Sequence, residues 1–161
     1  MSELFHRVNL LLGEETVQKF GSLRVIIFGL GGVGSWCAEG LVRNGFKKLT
    51  LVDYDTITET NCNRQLPATS KTIGRYKTDV LKERFEEINP DVEICVRSEV
   101  YSPANSELFH LSDYDVIVDC IDSMQCKMHL IREATKTDAF FISSIVAPFI
   151  SCFIIVCNIS M

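Results

Sequence analysis

The chain has 161 residues, 47% of them hydrophobic and 23% charged, enough for one domain with a sizeable core, which excludes disorder as its main state. A net charge of −5 excludes a surface given over mainly to binding polyanions, although a local basic site stays possible. Seven cysteines, an odd count without C-x-x-C spacing, fit reduced thiols better than a disulfide framework or a zinc knuckle. The opening MSELFHRVNLLLGEE has no basic start and no long apolar run, so no secretory signal is readable and a cytoplasmic location is the expectation.

Apolar spacing at Leu4, Val8, Leu11 and Leu12 predicts helix from the N-terminus, with Gly13 breaking it into two pieces. Residues 24–28 form a short apolar run that stops at glycine, which reads as a strand buried on both faces. A helix over 33–44, ended by Gly45, and a strand over 49–52 follow. After an irregular polar segment the pattern predicts a helix over 76–88, a strand over 92–96 and a short helix over 105–111. A buried strand over 116–118, a helix over 124–137 and a strand over 140–142 complete the series. Strands alternating with helices mean βαβ units and a Rossmann-like, doubly wound, mostly parallel sheet with N-terminal helices in front of it.

Gly29-Leu30-Gly31-Gly32-Val33-Gly34 falls directly between a predicted strand and a predicted helix. Glycines there allow a tight turn and let the backbone approach a phosphate, while the helix start offers unpaired N–H groups. Asp53 ends the next strand, placed to bond ribose hydroxyls. This pattern does not choose between NAD and ATP. What tells against a dehydrogenase is the segment 53–77, far richer in polar groups than a dinucleotide site requires.

That segment carries Asp53, Asp55, Asn61, Arg64 and Lys77 after the C-terminal end of a strand, where open α/β sheets bind ligands. Arg64 and Lys77 supply two cations to offset charge on a leaving pyrophosphate. Asp122, after a later strand, points to the same edge and suits a magnesium ion on the phosphates. Plainer roles compete: Asp122 as a helix cap, and Lys77 as a solvated residue of a first turn.

The motifs G-L-G-G-V-G, D-Y-D, N-x-N-R-Q, G-x-x-K and D-x-x-D together resemble the ThiF/MoeB/HesA family of adenylating enzymes, relatives of the ubiquitin-activating proteins. Residues 31–39, 60–66 and 119–123 look most like the branch that dehydrates threonylcarbamoyladenosine in tRNA. The resemblance implies binding of Mg-ATP, transfer of AMP to the threonyl carboxylate with release of pyrophosphate, and cyclisation from within the same modification. It implies that Gly29, Gly31, Gly32 and Gly34 line the nucleotide, with Asp53 on ribose; from the residues themselves Asp53 and Asp55 could hold ribose and an ion, and Asn61 is counted with them among the nucleotide-binding residues. Arg64 and Lys77 would bind phosphates and act in catalysis with Asp122, which would hold the Mg2+. It also implies tRNA carrying threonylcarbamoyladenosine as the acceptor, a homodimer, and a sulfur-relay protein as a further partner. Activation of a carrier protein's C-terminal glycine is the alternative within the family, and a remnant without activity is another. Thiamine and molybdopterin relatives carry R-x-N-R near the N-terminus, where this chain has Arg7 and then Leu10.

The reading divides the chain into an ATP-binding domain over 1–144 and an apolar tail over 145–161 that departs from the family pattern. From Ala139 to Met161 there is no charged residue. By length the stretch could span a bilayer, although Pro148, Asn158 and the lack of basic flanks oppose this. It could also add a core strand. The third reading, a truncated chain lacking the half that completes the acceptor site, is the expectation, and it makes the fold incomplete at the C-terminus.

Overall fold

The computed structural model describes residues 3–147 and 150–156, the side chains of 145–156 excepted. Residues 148–149 and 157–161 of the apolar tail lie outside the described residues. Helices α1 (His6–Leu12) and α2 (Glu14–Ser22) part at Gly13, and Phe20 of α2 stacks on Phe46 at a centroid distance of 4.7 Å. The run RVIIF becomes β1 (Arg24–Phe28), whose side chains alternate between two cores. Val25 and Ile27 enter one, Ile26 and Phe28 the other, and all four are fully buried. Burial on both faces is what a continuous apolar run encodes.

The first core is closed by α3 (Gly34–Arg43) and, after β2 (Lys48–Val52), by α4 (Lys77–Ile88), through Ala38, Val42, Leu81 and Phe85. Beyond β3 (Glu93–Arg97) and β4 (Val116–Asp119), α5 (Met124–Ala134) covers the second core with Leu130 and Ala134. Glu39 ties α3 to α4: it accepts from Arg43 Nε at 2.7 Å and from Arg84 Nε at 2.5 Å. Strands β1 to β5 (Phe140–Ala147) are parallel, and β6 (Ile150–Val156), within the apolar tail, pairs antiparallel with β5. The sheet order β3-β2-β1-β4-β5-β6 reverses direction at β1, between β2 and β4.

Three predicted elements change, the first being the strand over 140–142, which runs on to Ala147 as β5. In place of one helix over 105–111 there are two 3-10 turns, Ser106–Phe109 and Leu111–Asp113, because His110 between them takes a left-handed φ of +45°. Helix α5 stops at Ala134 rather than at 137, where the Thr135 and Thr137 hydroxyls turn back on the Arg132 and Ala134 carbonyls. Among the described residues no helix is long and apolar enough to cross a membrane.

Candidate functional site

The reversal of strand order leaves a crevice beyond the C-terminal ends of β1, β2 and β4, the position where doubly wound sheets bind ligands. It holds a cavity of about 670 Å³, within the size range of small-molecule sites. Gly29, Gly31 and Gly32 form one wall, Asp53 and Asp55 a second. Asn61, Arg64 and Lys77 close the side next to them, and Asp122 stands on the β4 side. Nine of the ten residues predicted for the site thus meet in one space.

The tenth does not. Gly34 lies behind the loop, where a Cβ would collide with the Gly29 carbonyl oxygen. Its smallness lets α3 start directly against the end of β1, so it shapes the loop without lining the cavity. Gly29 combines a φ of +85° with close approach to β4: a Cβ there would lie 2.5 Å from the Cys120 carbonyl oxygen. Ser35, fully buried, donates its hydroxyl to the Gly31 carbonyl at 2.6 Å and accepts from Leu66 N at 3.2 Å. That hydroxyl joins the glycine loop to the segment bearing Arg64.

Asp53 supports the loop from below. Its Oδ2 accepts from Leu30 N at 2.6 Å and its Oδ1 from Asp55 N at 2.8 Å. Burial pushes its carboxyl above the usual aspartate range, against the opposing pull of the two N–H donors and of Lys77. Lys77 is not solvated, because its ammonium is drawn inward by two carboxylates: 2.7 Å from Asp55 Oδ2 and 3.8 Å from Asp53 Oδ2, with only 4% of the residue exposed. Arg64 lies over Gly32, its guanidinium held by the Thr60 carbonyl at 3.0 Å and Asn63 Oδ1 at 2.9 Å. Asn61 braces the same loop by accepting from Thr58 N at 3.0 Å.

Asp122 does not cap α5. Ser123 holds the N-cap position without a side-chain bond, and the exposed Asp122 carboxylate makes no hydrogen bond or ion pair among the described residues. Cys120 lines the cavity, but burial pushes its thiol up to about 12, which leaves it a poor nucleophile. Cys62 is exposed. Among the described residues no cluster of three His, Cys, Asp or Glu is arranged to hold a metal.

Sequence reasoning assigned no role to three groups. Gln65 lines the cavity at 8% exposure, its Oε1 buried without a hydrogen-bond partner. It closes the N-x-N-R-Q motif, which was the available signal. Asp119 opens the D-x-x-D motif, which marks it but not its pairing with Lys127 at 2.7 Å, and Ser35 carries no motif signal for its bond to Leu66 N.

A glycine loop, a carboxylate under it and paired cations in a switch-point crevice define a Rossmann-like α/β domain of the nucleotide-binding type. Comparison with known families narrows the class. The model described as "ThiF family" matches residues 6–158, and the chain belongs to that family. The tRNA threonylcarbamoyladenosine dehydratase of Haemophilus influenzae is 39% identical over 127 residues, covering 79% of this chain and 49% of its own length. That of Bacillus subtilis is 38% identical over 144 residues, covering 89% and 57%. The crystal structure of the E. coli dehydratase in complex with ATP is similar at a TM-score of 0.85 and 33% identity, over 88% of this chain and 58% of that one. E. coli MccB with ATP reaches a TM-score of 0.88 at 20% identity, over 99% of this chain and 50% of that one, a likeness of fold. The chain spans about half the length of the curated relatives it matches.

Proposed function

We propose that this chain binds ATP in the crevice and serves as an adenylating enzyme whose acceptor is the threonyl carboxylate of threonylcarbamoyladenosine in tRNA. The observation that carries the reading is the convergence of the glycine loop, Asp53, Arg64, Lys77 and Asp122 on one cavity. The relatives named as dehydratases, at 38–39% identity, supply the acceptor. A homodimer and a sulfur-relay partner belong to the same proposal.

The residues have distinct tasks. Loop N–H groups and the start of α3 receive phosphate oxygens, and Asp53, fixed by Leu30 and Asp55, offers its remaining lone pairs to ribose hydroxyls. Attack of the carboxylate oxygen on the α-phosphorus expels pyrophosphate, and Arg64 and Lys77 offset the charge that accumulates there. A nucleophile within the same modification then attacks the acyl-adenylate and expels AMP. Being intramolecular, that attack gains effective molarity and needs no catalytic thiol. The resulting ring is lighter than the starting nucleoside by one water.

Magnesium fits the residues present. One unpaired, exposed carboxylate is a normal protein contribution to a magnesium ion that otherwise takes phosphate oxygens and water. Asp122 would hold it, and the ion would neutralise phosphate charge.

Mass spectrometry of nucleosides tests the proposal, after incubation of the chain with Mg-ATP and threonylcarbamoylated tRNA. The expected product is lighter by one water and disappears with Arg64→Ala or Asp122→Ala. Conversion that survives both substitutions overturns the site assignment. No conversion beside an active longer relative overturns the tRNA reading for this chain, and pyrophosphate release that needs a carrier protein in place of tRNA redirects it.

A further inference from the structure

We propose that the buried Asp119–Lys127 pair positions Asp122 for its cation, an inference that rests on the nucleotide-binding reading above. Asp119 ends β4 with 0% exposure, and Lys127, in the first turns of α5, is 4% exposed. Asp119, Lys127, Ser143 and Ser144 do not line the cavity, so they act on a ligand only through other residues.

One carboxylate holds both flanks of Asp122. Asp119 Oδ1 accepts from Ile121 N at 3.0 Å, which fixes the residue before it. Asp119 Oδ2 accepts from Lys127 Nζ at 2.7 Å, and Lys127 N in turn donates to the Ser123 carbonyl at 2.8 Å, which fixes the residue after it. The ammonium has three protons and three acceptors: Asp119 Oδ2, the Ser144 carbonyl at 2.9 Å and Ser143 Oγ at 3.4 Å. Ser143 Oγ also donates to Asp119 Oδ2 at 2.7 Å, so β4, β5 and α5 share one polar knot.

The Asp122 carboxylate has no hydrogen bond of its own among the described residues. Its location is inherited from the backbone that this knot holds. A buried ion pair adds little net stability compared with apolar residues of similar size, whereas its directional bonds fix geometry. The same turn meets the glycine loop, because the Cys120 carbonyl lies against Gly29. The knot therefore sets the spacing between the phosphate wall and the carboxylate facing it.

Calorimetric titration of ATP with and without magnesium tests this on the whole chain. The proteins are the wild type, Lys127→Arg, Ser143→Ala and the double variant Asp119→Asn with Lys127→Met, in which no buried charge is left alone. The wild type gains affinity from magnesium. The double variant is expected to keep its magnesium-free affinity and to lose about tenfold or more of the magnesium gain, as outer-shell partners of metal ligands do. Lys127→Arg, which keeps the charge, retains part of that gain. Ser143→Ala gives the same pattern at smaller size and decides the matter if melting curves show that the double variant does not fold. An undiminished magnesium gain overturns the proposal, and so does an equal loss with and without magnesium, which would make the pair purely structural. A wild type that binds no ATP at all overturns the nucleotide-binding reading instead.

Discussion

Gly29 and Gly31 stand two residues apart in one loop, yet they need the absence of a side chain for different reasons. At Gly29 a Cβ would meet the Cys120 carbonyl at a backbone φ of +85°; at Gly31 the nearest atom would be Gln65 Nε2 at 3.9 Å, an ordinary contact. Gly29→Ala is therefore expected to destabilise the protein by about 1–3 kcal/mol, as overpacking and left-handed strain do. Gly31→Ala should leave stability nearly unchanged and weaken ATP binding, because its methyl group enters space that a phosphate needs. Thermal melts with and without ATP separate the two outcomes. The glycine pattern is legible in sequence, but this division of labour is not, since it depends on how closely β4 approaches.

Helices α3 and α4 are joined by Glu39, whose carboxyl the Arg84 and Arg43 guanidinium groups hold below the usual glutamate range. A lowered native pKa means that Glu39 stabilises the fold at neutral pH. That contribution disappears as pH falls from the ordinary glutamate range through the lowered native value. Glu39→Gln should flatten this acid limb, read from denaturant midpoints measured at stepped pH. Elements with one dominant signal were readable in advance: β1 and β4 as apolar runs, α4 from its spaced Leu81, Phe85 and Ile88. The 3-10 pair around His110 was not, because a single left-handed residue leaves no periodic trace. The inward pull on Lys77 was hidden for another reason. Its helical position suggests solvent, and only the return of Asp53 and Asp55 from β2 gives it partners.

For the molecule as a whole, the crevice takes its two walls from opposite sides of β1, so a ligand within it braces both halves of the sheet. ATP at about one hundred times its Kd should raise the unfolding free energy by about 2.7 kcal/mol with an unchanged denaturant slope. Chemical unfolding with and without nucleotide measures this, and Asp122→Ala should reduce the gain when magnesium is present. Fold class and most of the residues that line the candidate site were legible because the glycine loop, the acids and the cations all follow strand ends. The Asp119–Lys127 knot was not, since its second anchor, Ser143–Ser144, comes from another strand.

The strand order also governs how the molecule comes to exist. Arg24 N bonds Asp115 Oδ2 across 91 positions, and β1 pairs with β4 beside it, whereas β2 and β3 have already joined from the other side. In chain order the β1–β2–β3 half precedes β4, and bringing β4 back beside β1 closes a long loop at an entropic cost. Until β4 docks, the glycine loop faces no opposite wall and a nucleotide has nothing to bridge. On the nucleotide-binding proposal, bound nucleotide is expected to protect the finished sheet against opening along the β1–β4 seam rather than to speed its early assembly.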